Sequence, residues 1–234
     1  MSKAAELAKF IGDGTLGTDT GDAFNSDSIL RLGRSGDRAF LQFKTDTSNN
    51  SGILFGDETD DVRHSIQFEP TDNVITFNGN TAETMRIDAN GHITKPLQPA
   101  FLVKPSSSQL NLTVGSANAV VFGTEIFDQN GDFASNTFTA PVTGKYQLNL
   151  DIFFTNIDSA GTELGIKFET SNREHNIFIE PDHAFASDGN HSYVIATLAD
   201  MDANDTVTVK VTPVGGHTDV DVHSHTKFSG YLVC

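Results

Sequence analysis

Short runs of alternating apolar and polar residues, fenced by Gly, Asn and Asp, constrain this chain more than any other feature. Leu30 and Leu32 flank Arg31, and Ile66 and Phe68 flank Gln67, so each run once extended has one dry face and one wet face. Similar runs stand at 38–43, 52–55, 74–77 and 84–87. Turn residues separate them: Ser48-Asn49-Asn50-Ser51-Gly52, Asn78-Gly79-Asn80 and Asp88-Ala89-Asn90-Gly91. Helix-favouring stretches are scarce, and the expected class is all-β.

Composition removes several functions. The chain has 234 residues with 31 acidic against 15 basic side chains, a formal charge of −16. Phosphate contacts need Lys and Arg, so nucleic acid and anionic membranes are excluded as non-specific partners. The single Cys cannot close an internal disulfide or supply a Cys-rich zinc site. No apolar run approaches the roughly 20 residues of a membrane span, and Met1-Ser2-Lys3 opens no secretory signal. With 37% apolar residues, wholesale disorder is not expected.

Three segments follow. In 1–23, Ala4, Leu7, Ala8 and Ile11 keep the i, i+3, i+4, i+7 spacing of one helix face, before Gly12-Asp13-Gly14 ends the run. So short a helix is marginal alone in water. It is either a frayed terminus or a docking peptide that packs on a larger body. Residues 24–97 hold the short strands, with too few large side chains for a comfortable monomeric core. The expected solution is an intertwined or prism-like β stalk whose core is shared about a threefold axis. Lys95-Pro96-Leu97-Gln98-Pro99 marks a boundary, since prolines interrupt pairing. Residues 98–234 carry longer strand candidates at 119–122, 137–139, 144–154, 165–168, 176–179, 193–198, 206–211, 219–222 and 227–233. That spacing predicts a β-sandwich of jelly-roll type.

Within the third segment, Phe138-Thr139-Ala140-Pro141-Val142-Thr143-Gly144-Lys145-Tyr146 resembles the "F-T-A-P-x-x-G-x-Y" signature of the C1q/TNF-like domain family. Pro99-Ala100-Phe101 looks like its opening strand, and Phe127 to Phe133 like its Phe-Asp-turn-Gly stretch. Lys227-Phe228-Ser229-Gly230-Tyr231-Leu232-Val233 looks like its closing strand. The resemblance implies a jelly-roll knob that forms tight homotrimers, with Phe138, Tyr146, Phe228 and Tyr231 in the knob or trimer core. Gly230 inside a strand predicts the close approach of a backbone or a large ring. Gly52-Ile53-Leu54-Phe55-Gly56-Asp57 and Thr84-Met85-Arg86-Ile87-Asp88-Ala89-Asn90-Gly91 are similar to elements of phage tail-fibre proteins. Together these imply a phage virion protein, assembled in the host cytoplasm. Its N-terminus would meet other virion proteins, and its knob a surface glycan or outer-membrane receptor. The chain stops after the closing strand, so no self-cleaving extension is expected.

Several residues are candidates for chemistry. In a strand, His223 and His225 would share a face. Three copies about an axis would offer six imidazole nitrogens to a divalent transition metal, and the resemblance to trimeric phage fibres with an H-x-H pair points the same way. The competing reading is a solvated strand face. Asp128, Asn130 and Asp132, like the acidic loop 56–61, offer hard oxygens suited to calcium but lack EF-hand spacing. Ordinary turn chemistry explains them equally. Cys234 is read as a passive thiol. No G-x-S-x-G, H-E-x-x-H, Walker or dinucleotide motif appears. No enzyme activity and no required cofactor are expected. Eighteen Phe and no Trp suit buried cores better than sugar platforms; the polar loops 171–175 and 181–191 are candidate receptor contacts. The reading is a homotrimeric virion fibre, a tail fibre whose knob binds the host. A capsid-attached head fibre or decoration protein has the same architecture and suits the short length; a glycan-degrading tailspike is the third alternative.

Overall fold

The computed structural model describes residues 40–80 and 82–234. The expected helix bearing Ala4, Leu7, Ala8 and Ile11, and the strand at 28–32, lie outside the described residues. The chain divides into two compact units between Ile93 and Thr94.

The first unit is one antiparallel sheet in chain order: β1 (Ser51–Phe55), β2 (His64–Glu69), β3 (Val74–Gly79), β4 (Ala82–Ile87) and β5 (Ile93–Thr94). Consecutive strands pair within one chain, the arrangement a prism of sheets would use and an intertwined stalk would not. Asp88 shapes the turn after β4 by accepting from the backbone N–H groups of Asn90 and His92, while Gly91 takes φ +85°. The strand expected over 38–43 is corrected in its described part. Residues 40–43 are irregular, pair with no strand, and leave Phe40 82% exposed.

In this sheet, residues paired across strands share a face. One face carries Gln67, Thr76 and Arg86 in one row and Ser65 and Asn78 in the next. Their polar groups bond one another: Gln67 Nε2 donates to Ser65 Oγ at 2.7 Å, and Asn78 Nδ2 to Thr76 Oγ1 at 3.1 Å. Arg86 reaches Glu83 at 2.7 Å. The opposite face is apolar, with Ile53, Ile66, Phe77 and Met85 in one row and Phe68, Ile75 and Ile87 in the next.

The second unit is an all-β jelly-roll sandwich. Its strands are β6 (Ala100–Lys104), β7 (Asn118–Ala119), β8 (Thr124–Asp128), β9 (Phe133–Ala134), β10 (Thr137–Thr139), β11 (Gly144–Ile157), β12 (Glu163–Thr170) and β13 (Glu174–Ile179). After a one-turn helix, α1 (Pro181–Ala184), come β14 (Gly189–Met201), β15 (Thr206–Val214), β16 (Asp221–Val222) and β17 (Lys227–Leu232). One sheet runs β14-β11-β17-β6-β8 with β16 on β11; the other runs β13-β12-β15-β10-β9 with β7 on β15. The run expected as a strand at 119–122 shrinks to β7. Past Val120, side chains replace the ladder: Gln109 Oε1 accepts from Val121 N–H and Asn136 Oδ1 from Phe122 N–H.

The two inner faces meet in a Phe-rich core. Phe101 stacks on Phe133 and Phe138 at 5.2 and 4.7 Å and meets Phe228 edge-on at 5.0 Å. Phe138, Tyr146 and Phe228 are fully buried, and the Tyr146 hydroxyl donates to Val142 O at 2.8 Å. Burial pushes that phenol up from its ordinary pKa. Tyr231 is corrected as a residue of the protomer core: alternation along β17 turns Phe228 and Gly230 inward, and leaves Tyr231 49% exposed on the outer face.

Candidate functional site

A two-layer sandwich presents two outer faces, and here they differ in chemistry. On the sheet holding β12 and β15, outward positions carry an ion ladder. Lys167 lies 2.8 Å from Glu169 and 2.5 Å from Glu174, and Lys210 also pairs with Glu169. Lys167 and Lys210 sit opposite one another in register, so Glu169 bridges two like charges. The two ammonium groups hold the Glu169 carboxyl below the ordinary carboxylate range, and Glu169 with Glu174 raises Lys167. Thr208 and Thr212 continue this wet face.

The other outer face is built on β14, β11, β17, β6 and β8. Register aligns Leu198, Gln147 and Tyr231 in one row, and Ala196, Asn149, Ser229, Leu102 and Phe127 in the next. A third row holds Val194, Asp151 and Lys227. Val194 is 81% exposed, Leu198 56% and Phe127 48%. Gln147 is tied down, donating to Asn149 Oδ1 and to Thr197 O at 3.2 Å each. Ile195, Ala199 and Met201 on the inner side of β14 are buried, so this strand is apolar on both sides. That pattern belongs to strands covered on both faces, and the patch is of the kind that marks interaction surfaces.

Sequence reasoning named only Tyr231 on this face. The missed signal was Tyr193-Val194-Ile195-Ala196-Thr197-Leu198, a nearly continuous apolar run where a half-buried strand alternates.

The histidine pair is corrected in its local structure. His223, Ser224 and His225 form a turn between β16 and β17, closed by Thr226 N–H donating to His223 O at 3.0 Å. The rings nevertheless meet, T-shaped at 4.5 Å, beside Phe153, with His223 4.9 Å from that ring. His225 N–H donates to His223 Nδ1 at 3.2 Å. One chain supplies two imidazoles, and among the described residues no third His, Cys, Asp or Glu joins them. His217, six residues before His223, is buried, with neither ring nitrogen hydrogen-bonded.

The acidic candidates close turns. Asp128 accepts from the backbone N–H groups of Asp132 at 3.1 Å and Phe133 at 2.9 Å. Asn130 Nδ2 donates to Leu97 O at 3.0 Å. Asp132 Oδ2 is buried without a partner, and burial, then the Asp128 charge, pushes its carboxyl up. In the loop 56–61, Asp57 accepts from the N–H groups of Thr59 and Asp60 at 2.8 and 3.0 Å and pairs with Arg63. Of the polar loops, Arg173 pairs with Asp200 at 2.7 Å, and His191 stacks on Phe185 at 3.7 Å. Cys234 is exposed and free.

Among protein families, the model described as C1q domain matches residues 100–233. The globular domain of zebrafish complement 1qA protein is 18% identical, with a TM-score of 0.40 over 58% of this chain and 98% of that one. Murine APRIL, crystallised at pH 8.0, is 12% identical, with a TM-score of 0.42 over 58% of this chain and 99% of that one. No curated protein matches the chain.

Proposed function

The chain belongs to the C1q domain family through residues 100–233, and from that premise we propose that it is a homotrimeric fibre of a phage virion whose C-terminal domain binds the host surface. Domains of this family commonly form trimers. The observation that carries the reading is the asymmetry of the two outer faces. One is a charged ladder suited to water, with Phe178 exposed beside it on the β13 edge. The other exposes Val194 and Leu198 on β14, Tyr231 on β17 and Phe127 on β8, set apart by Gln147, Asn149 and Ser229, and covering it with other copies takes that apolar area out of water.

The phage assignment is supported by the fibre-like elements at 52–57 and 84–91, which precede the domain in the chain. Three linked copies of a weak receptor site gain avidity without any new contact. A charge of −16 per copy keeps the assembly soluble and off anionic envelopes. Receptor contact then rests on directed hydrogen bonds from polar residues of 171–175 and 181–191, around the β12–β13 turn and the α1 segment that leads into β14. The protein works by binding, not by turnover, and the reading requires no cofactor.

Light scattering on the full chain tests the assembly: a mass about three times 25.2 kDa is expected. Val194→Asp combined with Leu198→Asp should reduce it to that of one chain, while Thr208→Asp on the wet face leaves it unchanged. A single-chain mass for the unaltered protein refutes the reading. Fluorescently labelled trimer should decorate host cells, and the altered monomer should not. The virion protein retained by the first twenty residues, tail or capsid, then decides the mount.

A further inference from the structure

We infer that the apolar face of the first unit's sheet is a second self-association surface, occupied by the same face of other copies of this chain. The inference rests on the trimeric reading above, but its residues are different.

The sheet is a single layer. Its polar face bonds side chain to side chain and carries an ion pair; on it Ser65 and Thr76 are buried, and Leu54, opposite Ser65, is exposed. The other face carries Ile53, Ile66, Phe68, Ile75, Phe77 and Ile87 in matched rows, with Ile53, Phe68 and Ile75 43%, 40% and 41% exposed. An open groove of about 280 Å³ runs over Ile53, Ile66, Phe68 and Ile75 to Phe43. A sheet hides such a face only against a second layer, and none of the described residues supplies one.

Two features favour copies of this chain over another partner. The first is the tether. Only residues 88–99 separate β4 from β6, a reach of at most roughly 40 Å. Any assembly that gathers three C-terminal domains therefore holds three of these sheets at high effective concentration. Faces too weak to associate alone then associate. The second is charge. Each copy carries −16, yet the matched rows of this face bring no charged side chain together. Like copies can meet there without repulsion, whereas the Glu69, Glu83 and Arg86 side chains stay on the outer face.

The test uses the full chain with p-benzoylphenylalanine, a photoreactive residue, in place of Phe68, and separately in place of Gln67 on the polar face. Illumination at Phe68 should give denatured species of about two and three times 25.2 kDa, with cross-linked peptides inside 51–87 of another copy. The Gln67 position should give none. A trimeric mass with Phe68 cross-linked only within its own chain, for example to residues 1–39, overturns this inference and leaves the assembly reading standing. A single-chain mass overturns both. Equal cross-linking from both faces also overturns it.

Discussion

Replacing Gly230 by Ala places one methyl at the most crowded point of the sandwich. On β17, Gly230 lies between Leu148 and Phe101 in register. An added Cβ would stand 2.7 Å from Phe101 Cε1 and 3.0 Å from Leu148 Cδ2. Comfortable carbon contacts need about 3.5–4.0 Å, so Phe101 must retreat by close to an ångström. It has nowhere to go: the ring is fully buried and wedged among Phe133, Phe138 and Phe228. Overpacking of this kind costs about 1–3 kcal/mol. The Gly-to-Ala gain in chain entropy returns about 0.5–1 kcal/mol. We expect a net loss of about 1 kcal/mol and a fall in melting temperature of roughly 2–4 °C. Urea unfolding, followed at fixed protein concentration because association adds apparent stability, reads the loss. Phe101→Leu, which shrinks the ring, should couple to Gly230→Ala and cost less in the double variant than the sum of the two changes. A Gly230→Ala protein within about 0.5 kcal/mol of the parent refutes the steric account.

Asp221 is buried and accepts from Asn111 N–H at 2.7 Å and Asn156 Nδ2 at 2.9 Å. Asp221→Ala strands both donors and should cost about 2–3 kcal/mol in urea unfolding, with Asp221→Asn losing less. Glu169 has its carboxyl pKa lowered by Lys167 and Lys210, so its contribution is present above the ordinary 4.5 and is lost as pH falls through the lower folded value. Glu169→Gln should therefore weaken the protein at pH 7 by about 1 kcal/mol or less, with the difference vanishing on acidification. Asp132 has the opposite sign. Its pKa is raised by burial and by Asp128, so the charged form costs stability above the folded value. Asp132→Asn should raise the melting temperature at pH 7, with the gain shrinking as pH falls toward 3.8.

The C-terminal sandwich was legible because its signals are local and chemical. Phe138 to Tyr146 marks a tight turn between two inward aromatics, and strand alternation alone assigns most of β11 and β15. The outward face of β14 was harder to read. An apolar residue at Val194 reads the same whether it enters this chain's core or leaves it for a neighbour's, and the period of two cannot say which. The histidine turn was misread because alternation of His, Asp and Val continues across the corner between β16 and β17, while Thr226 folds the backbone back. The strand expected at 38–43 had β-forming residues, but among the described residues no strand pairs with residues 40–43. Strand propensity describes fit to a neighbour, and without one it decides nothing.

The acidic excess acquires a second meaning from the same comparison. Read along the sequence, Asp-rich loops suggest either cation ligands or a solubilising charge. In space, many of these carboxylates are structural acceptors. Asp57, Asp88 and Asp188 have pKa values lowered chiefly by hydrogen bonds from Thr59, His92 and Ser159, and Asp158 accepts from Thr218 N–H at 2.6 Å. Among the described residues the perturbed groups lie on separate turns and strands, and each shift has a hydrogen bond, an ion pair or burial as its cause. Asp57, Asp88, Asp158 and Asp188 thus hold corners of the two β units. What remains uncovered is apolar area, on one face of the sandwich and one face of the first sheet. Uncovered apolar area drives association, which is why both the proposed function and the second interface are read from sheet faces.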